Sequence, residues 1–102
     1  PAVRKHCHGI IDRLVADYGI GYLKIDYNIN HREGNEAGYE SPGDGQLAHI
    51  AGLYQWLDEL RIKHPHMLVE NCGSGGGRMD YGVLEHVHLQ STTDQVHYLR
   101  MP

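Results

Sequence analysis

The chain has 102 residues, 40% of them apolar, and a formal charge of −4 at neutral pH. That length holds one small domain burying about 60 to 70% of its unfolded surface, and the charge balance offers nothing to a polyanion, so no nucleic-acid partner is expected. No apolar run approaches the ~20 residues of a membrane span, and the opening PAVRKHCHGI has neither a signal peptide's apolar stretch nor an initiator methionine, which points to a start inside a longer protein; localisation stays open.

Apolar residues at Val3, Cys7, Ile10, Ile11, Leu14, Val15 and Tyr18 recur at intervals of three and four, predicting an amphipathic helix over 2–18. Gly19 follows as its C′ residue, where a left-handed backbone costs glycine little. YLKIDYN, residues 22–28, then switches to period two. Leu23, Ile25 and Tyr27 face one way, and Tyr22, Lys24, Asp26 and Asn28 the other. The next stretch, NINHREGNEAGYESPGDG, far exceeds the ~4 to 6 residues of an ordinary connection, and loops of that size in compact domains usually serve a site.

A second helix is predicted over 45–63, with Leu47, Ile50, Ala51, Leu53, Tyr54, Leu57 and Leu60 as its apolar stripe. HPH at 64–66 ends it, since the residue before proline is pushed out of helical space. MLVENC reads as a short buried strand, GSGGGR as a tight loop and MDYGVLEH as one or two helical turns. VHLQSTTD alternates again, with Val87 and Leu89 opposite His88, Gln90, Thr92 and Asp94.

Strands separated by helices favour parallel pairing with right-handed crossovers, so the fold class is α/β. Two architectures fit: an open doubly wound sheet, or a segment of a (β/α)₈ barrel. Polar residues end each predicted strand, at the edge where both place their active sites. A whole barrel needs ~250 residues, so this chain would be under half of one.

Lys24 and Asp26 share a face, so the ammonium favours an ionised carboxylate, the state a nucleophile needs; a purely structural pair at a strand end is the other reading. Asp94 ends the last strand after Ser91, Thr92 and Thr93. Two carboxylates at the mouths of nearby strands are what glycoside cleavage uses, although STTD is also good capping sequence. ENCGSGGGR follows a strand and invites comparison with phosphate-cradling loops, with Asp94 about 20 residues on. The third glycine of the dinucleotide fingerprint falls at Arg78, and no long helix follows to aim its dipole. The same glycines serve a tight turn, or let sugar hydroxyls approach the backbone.

Asp26, Asn28 and Asn30 imitate the start of a calcium loop, but His31 and Ala37 stand where its glycine and bidentate glutamate belong. The nine histidines include HCH, HPH and HVH without a zinc spacing, so no metal and no cofactor is expected. Cys7 and Cys72 sit in unrelated contexts and predict no disulfide. Trp56 and Tyr54 lie within the second helix and read as packing residues.

With these residues in place, the chain resembles the catalytic barrel of the retaining α-galactosidases of glycoside hydrolase family 36. The family's Lys-Trp-Asp-Met-Asn-Arg segment, at the end of the fourth strand, appears as KIDYNI, keeping Lys24, Asp26 and Asn28. Its Glu-x-Cys-Ser-Gly-Gly-Gly-x-Arg-x-Asp segment resembles ENCGSGGGRMD over 70–80, with Gly73 and Ser74 exchanged. Its Thr-Ser-Asp-Asn/Gln-Thr-Asp run is similar to TTDQVHYLR through Thr92, Asp94 and Gln95, while Val96 and His97 depart. A frame set on the later Thr-Asp pair would put Ser91 at the acid/base position; the first frame is preferred because only it supplies an acid.

The resemblance implies that residues 1–102 are a fragment of one catalytic barrel domain, roughly strands four to six with the preceding helix. It implies Asp26 as nucleophile and Asp94 as acid/base in hydrolysis of terminal α-linked galactose with retention. Lys24, Asn28, Cys72, Ser74 and Gly75 become substrate-binding residues, and Arg78 binds substrate or, preferably, braces the loop. The implied partners are an α-galactoside oligosaccharide and the rest of the barrel, with no membrane. Half a barrel bares strand edges and apolar helix faces, which allows a homo-oligomer. The competing readings are a non-catalytic barrel fragment or sugar-binding module, and a dinucleotide-binding half-domain.

Overall fold

The structure, a computed structural model, describes residues 2–29 and 37–100. Asn30 and His31, on which the calcium-loop comparison turns, and much of the long connection lie outside the described residues. The elements run α1 (Ala2–Tyr18), β1 (Tyr22–Asp26), α2 (Pro42–Lys63), β2 (Leu68–Cys72), α3 (Tyr81–Leu84) and β3 (Leu89–Gln90), followed by a 3₁₀ turn over Tyr98–Arg100.

Helix α1 has the predicted bounds. Gly19 caps it at φ 63° and donates its amide to the Val15 carbonyl at 2.9 Å, a left-handed cap that needs no Cβ. Helix α2 begins three residues before the predicted start. Ser41 holds extended backbone and accepts from the Asp44 amide at 3.2 Å, while Pro42 fills the first turn, where a missing N–H leaves no bond unmade. The glycines of SPGDG disguise a well-capped helix start as loop.

The three strands form one parallel sheet in the order β1-β2-β3. Tyr22 pairs with Leu68, Lys24 with Glu70 and Asp26 with Cys72, and Glu70 and Asn71 pair onward with Leu89 and Gln90. The last strand is shorter than its alternation predicts. Its final ladder bond runs from the Ser91 amide to the Asn71 carbonyl. Beyond Cys72, β2 curls into the glycine loop and presents no extended edge to residues 92–94.

Ile11, Leu57, Leu60, Met67, Val69 and Val83 form the core, with Val15, Ile20, Leu23, Ile25, Leu53, Tyr54, Trp56 and Val87 packed around them. This core lies on one side of the sheet. On the other side Tyr22, Lys24 and Asp26 alternate outward from β1, and Leu68 and Leu89 are exposed beside them.

Both helical stripes are covered only in part. Val3, Ile10 and Tyr18 of α1 and Leu47, Ile50 and Ala51 of α2 are exposed, while Ile11 and Val15 of α1 and Leu53, Tyr54, Leu57 and Leu60 of α2 meet the core. Polar ties finish the packing. His8 meets Glu59 at 2.9 Å, His64 meets Asp12 at 2.8 Å, and His86 meets Asp58 at 2.8 Å, each joining α2 or its cap to another element. Among the described residues no group of three His, Cys, Asp or Glu is placed to hold a metal ion. Cys7 and Cys72 are both free thiols.

Candidate functional site

Because all three strands are parallel, their C-terminal ends share one edge of the sheet, and polar side chains gather there. Asp26 is the last residue of β1 and pairs with Cys72, the last of β2. The Cys72 thiol does most to hold the Asp26 carboxyl below its usual range. Partial desolvation opposes this, and the Asn28 side chain, the Ser74 amide and the Lys24 charge add to it in falling order. Hydrogen bonds to the charged form, more than a neighbouring cation, therefore keep this carboxylate ionised. The Lys24 charge acts in the expected direction but is the weakest of the influences on Asp26, because its ammonium lies 3.6 Å from Glu70, directly across the ladder.

Asn28 continues the same row. Its side-chain oxygen accepts from the Ser74 amide at 2.6 Å and from the Ser74 hydroxyl at 3.1 Å, and the same amide reaches Asp26 at 3.4 Å. Ser74 can point its N–H this way because it adopts φ 47°, a left-handed backbone uncommon outside glycine. The loop around it closes on itself, with the Gly73 amide on the Gly75 carbonyl at 3.1 Å and the Gly77 amide on the Gly73 carbonyl at 2.9 Å.

The loop also touches the other candidate acid. Gly75 has φ 75°, and a Cβ there would stand 2.7 Å from the Thr93 Cα and 2.9 Å from the Asp94 amide nitrogen; one on Gly76 would stand 2.8 Å from the Thr92 carbonyl. These glycines thus let residues 92–94 pack backbone against backbone. One residue of the loop contacts Asp26 and the next contacts the Thr93–Asp94 peptide. Asp94 itself is exposed, four residues past β3 rather than at its end. The cap that STTD could make falls to Thr93, whose hydroxyl accepts from the Gln95 amide at 3.0 Å. Ser91, the acid/base position of the rejected frame, gives its hydroxyl proton to Glu70.

Arg78 grips the end of β1. Its Nε donates to the Tyr27 carbonyl and its Nη2 to the Ile29 carbonyl, both at 2.6 Å, while the guanidinium lies 4.0 Å over the Tyr27 ring. The Tyr27 hydroxyl in turn meets His49 of α2 at 3.0 Å. This geometry braces the backbone on both sides of Asn28. Sequence reasoning missed Asn71, which is 6% exposed and donates to the Arg78 carbonyl at 3.0 Å and to Gln90 Oε1 at 2.8 Å. A polar residue inside the otherwise buried MLVENC run was the available signal.

The arrangement suits a neutral polar ligand better than a phosphate. The Ser74 amide already faces the Asn28 oxygen and the Asp26 carboxylate, so an anion there would meet like charge, and α3, four residues long, has little dipole to offer. A groove lined by Arg4, Lys5, His8, Glu59 and Lys63 lies on the α1–α2 surface, away from this edge.

Comparison with known proteins covers nearly the whole chain. Residues 1–100 match the family model described as Melibiase. The chain is 33% identical over 100 residues to Alpha-galactosidase 2 of Pediococcus pentosaceus, an alignment spanning 93% of this chain and 14% of that protein. It is 36% identical over 99 residues to Alpha-galactosidase 2 of Hypocrea jecorina, spanning 94% and 12%. The Alpha-galactosidase of Escherichia coli is 39% identical over 75 residues, spanning 74% and 10%. The chain thus corresponds to a small portion of each relative's length.

Proposed function

Because the chain belongs to the melibiase family, we propose that it forms part of the catalytic (β/α)₈ barrel of a retaining α-galactosidase of glycoside hydrolase family 36. On this reading it supplies about strands four to six and the preceding helix. The parallel sheet with one packed and one bare face supports the assignment. A closed barrel turns that bare face, with Tyr22, Lys24, Asp26, Leu68 and Leu89, into its interior. The remaining strands and helices would cover the sheet edges and the exposed ends of the two apolar stripes.

Asp26 attacks the anomeric carbon of a terminal α-linked galactose, forming a carboxylate–sugar bond as the glycosidic C–O bond breaks. Asp94 gives its proton to the departing oxygen. It then removes a proton from the water that attacks the same carbon, which frees Asp26 and returns the sugar with its original configuration. Retention of this kind calls for carboxyl groups about 5 to 5.5 Å apart, against ~6.5 to 9.5 Å for inversion. Lys24 and Asn28 hold sugar hydroxyls, Cys72, Ser74 and Gly75 shape the pocket around the ring, and Arg78 braces the backbone beneath it. The partners are an α-galactoside oligosaccharide and the rest of the barrel.

The observation that carries this reading is the hydrogen-bonded, ionised Asp26 at the end of β1, in contact with the loop that packs on Asp94. In the full-length protein, Asp26→Gly should lower turnover of an aryl α-galactoside by at least ~10⁴-fold and recover part of it with azide, which fills the space of the carboxylate. Undiminished turnover would remove Asp26 from the nucleophile role.

A further inference from the structure

Lys24 stands between two carboxylates. Asp26 lies two residues ahead on the same face of β1, and Glu70 lies directly across the ladder on β2. Its ammonium is 3.6 Å from Glu70 Oε1. That same oxygen accepts the Ser91 hydroxyl proton from the segment after β3, so Glu70 is fixed from both neighbouring strands. The Glu70 side chain is only 15% exposed, against 47% for Lys24. Building on the galactosidase reading, we propose that Glu70 is a positioning residue which draws the Lys24 ammonium off Asp26 and holds it where it binds a sugar hydroxyl.

The chemistry explains why such a residue is useful. An ammonium seated on the nucleophile would occupy a lone pair needed for attack on the anomeric carbon. With Glu70 as its anchor, Lys24 keeps further N–H groups for the substrate while Asp26 relies on Cys72, Asn28 and Ser74. When the rest of a barrel covers this face, the pair loses water, and a buried ammonium without a partner is costly. Glu70 supplies that partner one step below the Asp26–Cys72 row, and Ser91 sets the direction of its carboxylate.

The test is a double-mutant cycle in the full-length protein with an aryl α-galactoside. Glu70→Gln keeps the shape and the acceptor for Ser91 but removes the charge. It should raise KM about tenfold, the size of a lost charge-assisted contact, with a much smaller change in kcat. Lys24→Met should raise KM as well, and the double variant should be no worse than Lys24→Met alone, since both remove one interaction. Ser91→Ala provides a second cycle with Lys24→Met should Glu70→Gln misfold, and predicts a smaller rise in KM that also vanishes in the Lys24→Met background. An unchanged KM in Glu70→Gln, or effects that multiply in either cycle, would overturn the proposal. If Asp26→Gly is inactive while the cycles multiply, only the positioning role fails; an active Asp26→Gly removes the reading beneath it.

Discussion

The ends of β1 and β3 are built differently. At β1, Asp26 is met by a thiol, an amide side chain and a backbone N–H, and Arg78 clamps the Tyr27 and Ile29 carbonyls just beyond it. At β3 the ladder stops at Ser91, and Asp94 lies beyond it on a segment located by glycine contacts and the Thr93 turn. The contrast matches the two roles proposed. A nucleophile works from one ionised state in one position, and donors to its charged form provide that. An acid/base must take and release a proton, and donors locking one state would hinder it.

The largest effect expected from separating the two ends is on Asp94. In the full-length protein, Asp94→Asn should slow hydrolysis of a poor leaving group by about 10²- to 10⁴-fold, and much less for a nitrophenyl galactoside, whose leaving oxygen needs no proton. Equal losses on both substrates would break the distinction. Gly75→Ala attacks the seam between the ends. Its φ of 75° and the backbone atoms 2.7 to 2.9 Å from the added methyl should cost about 1 to 3 kcal/mol, read as a lower Tm. Activity should fall with it as residues 92–94 are pushed away.

Cys72→Ala sharpens the account of β1. Removing the main donor should raise the Asp26 pKa, so the acid limb of kcat/KM moves to higher pH, and Cys72→Ser, which restores a donor, should move it back. The sign for stability agrees. The hydrogen bonds to Asp26 contribute above the ordinary aspartate value of 3.8, and that contribution is lost as pH falls through the lower folded value. The smallest effect belongs to Ser41→Ala at the start of α2, remote from both ends. Losing the cap should cost about 1 kcal/mol in denaturant melts and leave the pH profile in place.

The element order and parallel pairing were legible because period two and period three-and-four segments alternate cleanly, and Gly19 and Pro65 punctuate the helices. The α2 start was missed because Ser41 caps through a Pro-Gly pair that reads as loop. The length of β3 was misjudged because alternation records which way side chains point, whereas a strand also requires a neighbouring ladder, and that ends at Asn71. Asp26 and Asn28 stood out by position, but Lys24's true partner did not. Glu70 lies 46 residues away, and only the register sets it opposite. The histidines that tie α2 to its neighbours were likewise invisible, since their carboxylate partners in α1 and α2 lie 28 to 52 residues away in the chain.

The most direct test of Asp26 as nucleophile is covalent. The full-length protein would be incubated with a fluorinated α-galactosyl trap that slows release of the glycosyl-enzyme, then digested for peptide mass spectrometry. The account predicts one added sugar on the peptide containing Asp26, with fragmentation placing it on that carboxylate. A label on any other residue would contradict it, as would an enzyme that turns the trap over with inverted configuration and never carries the sugar.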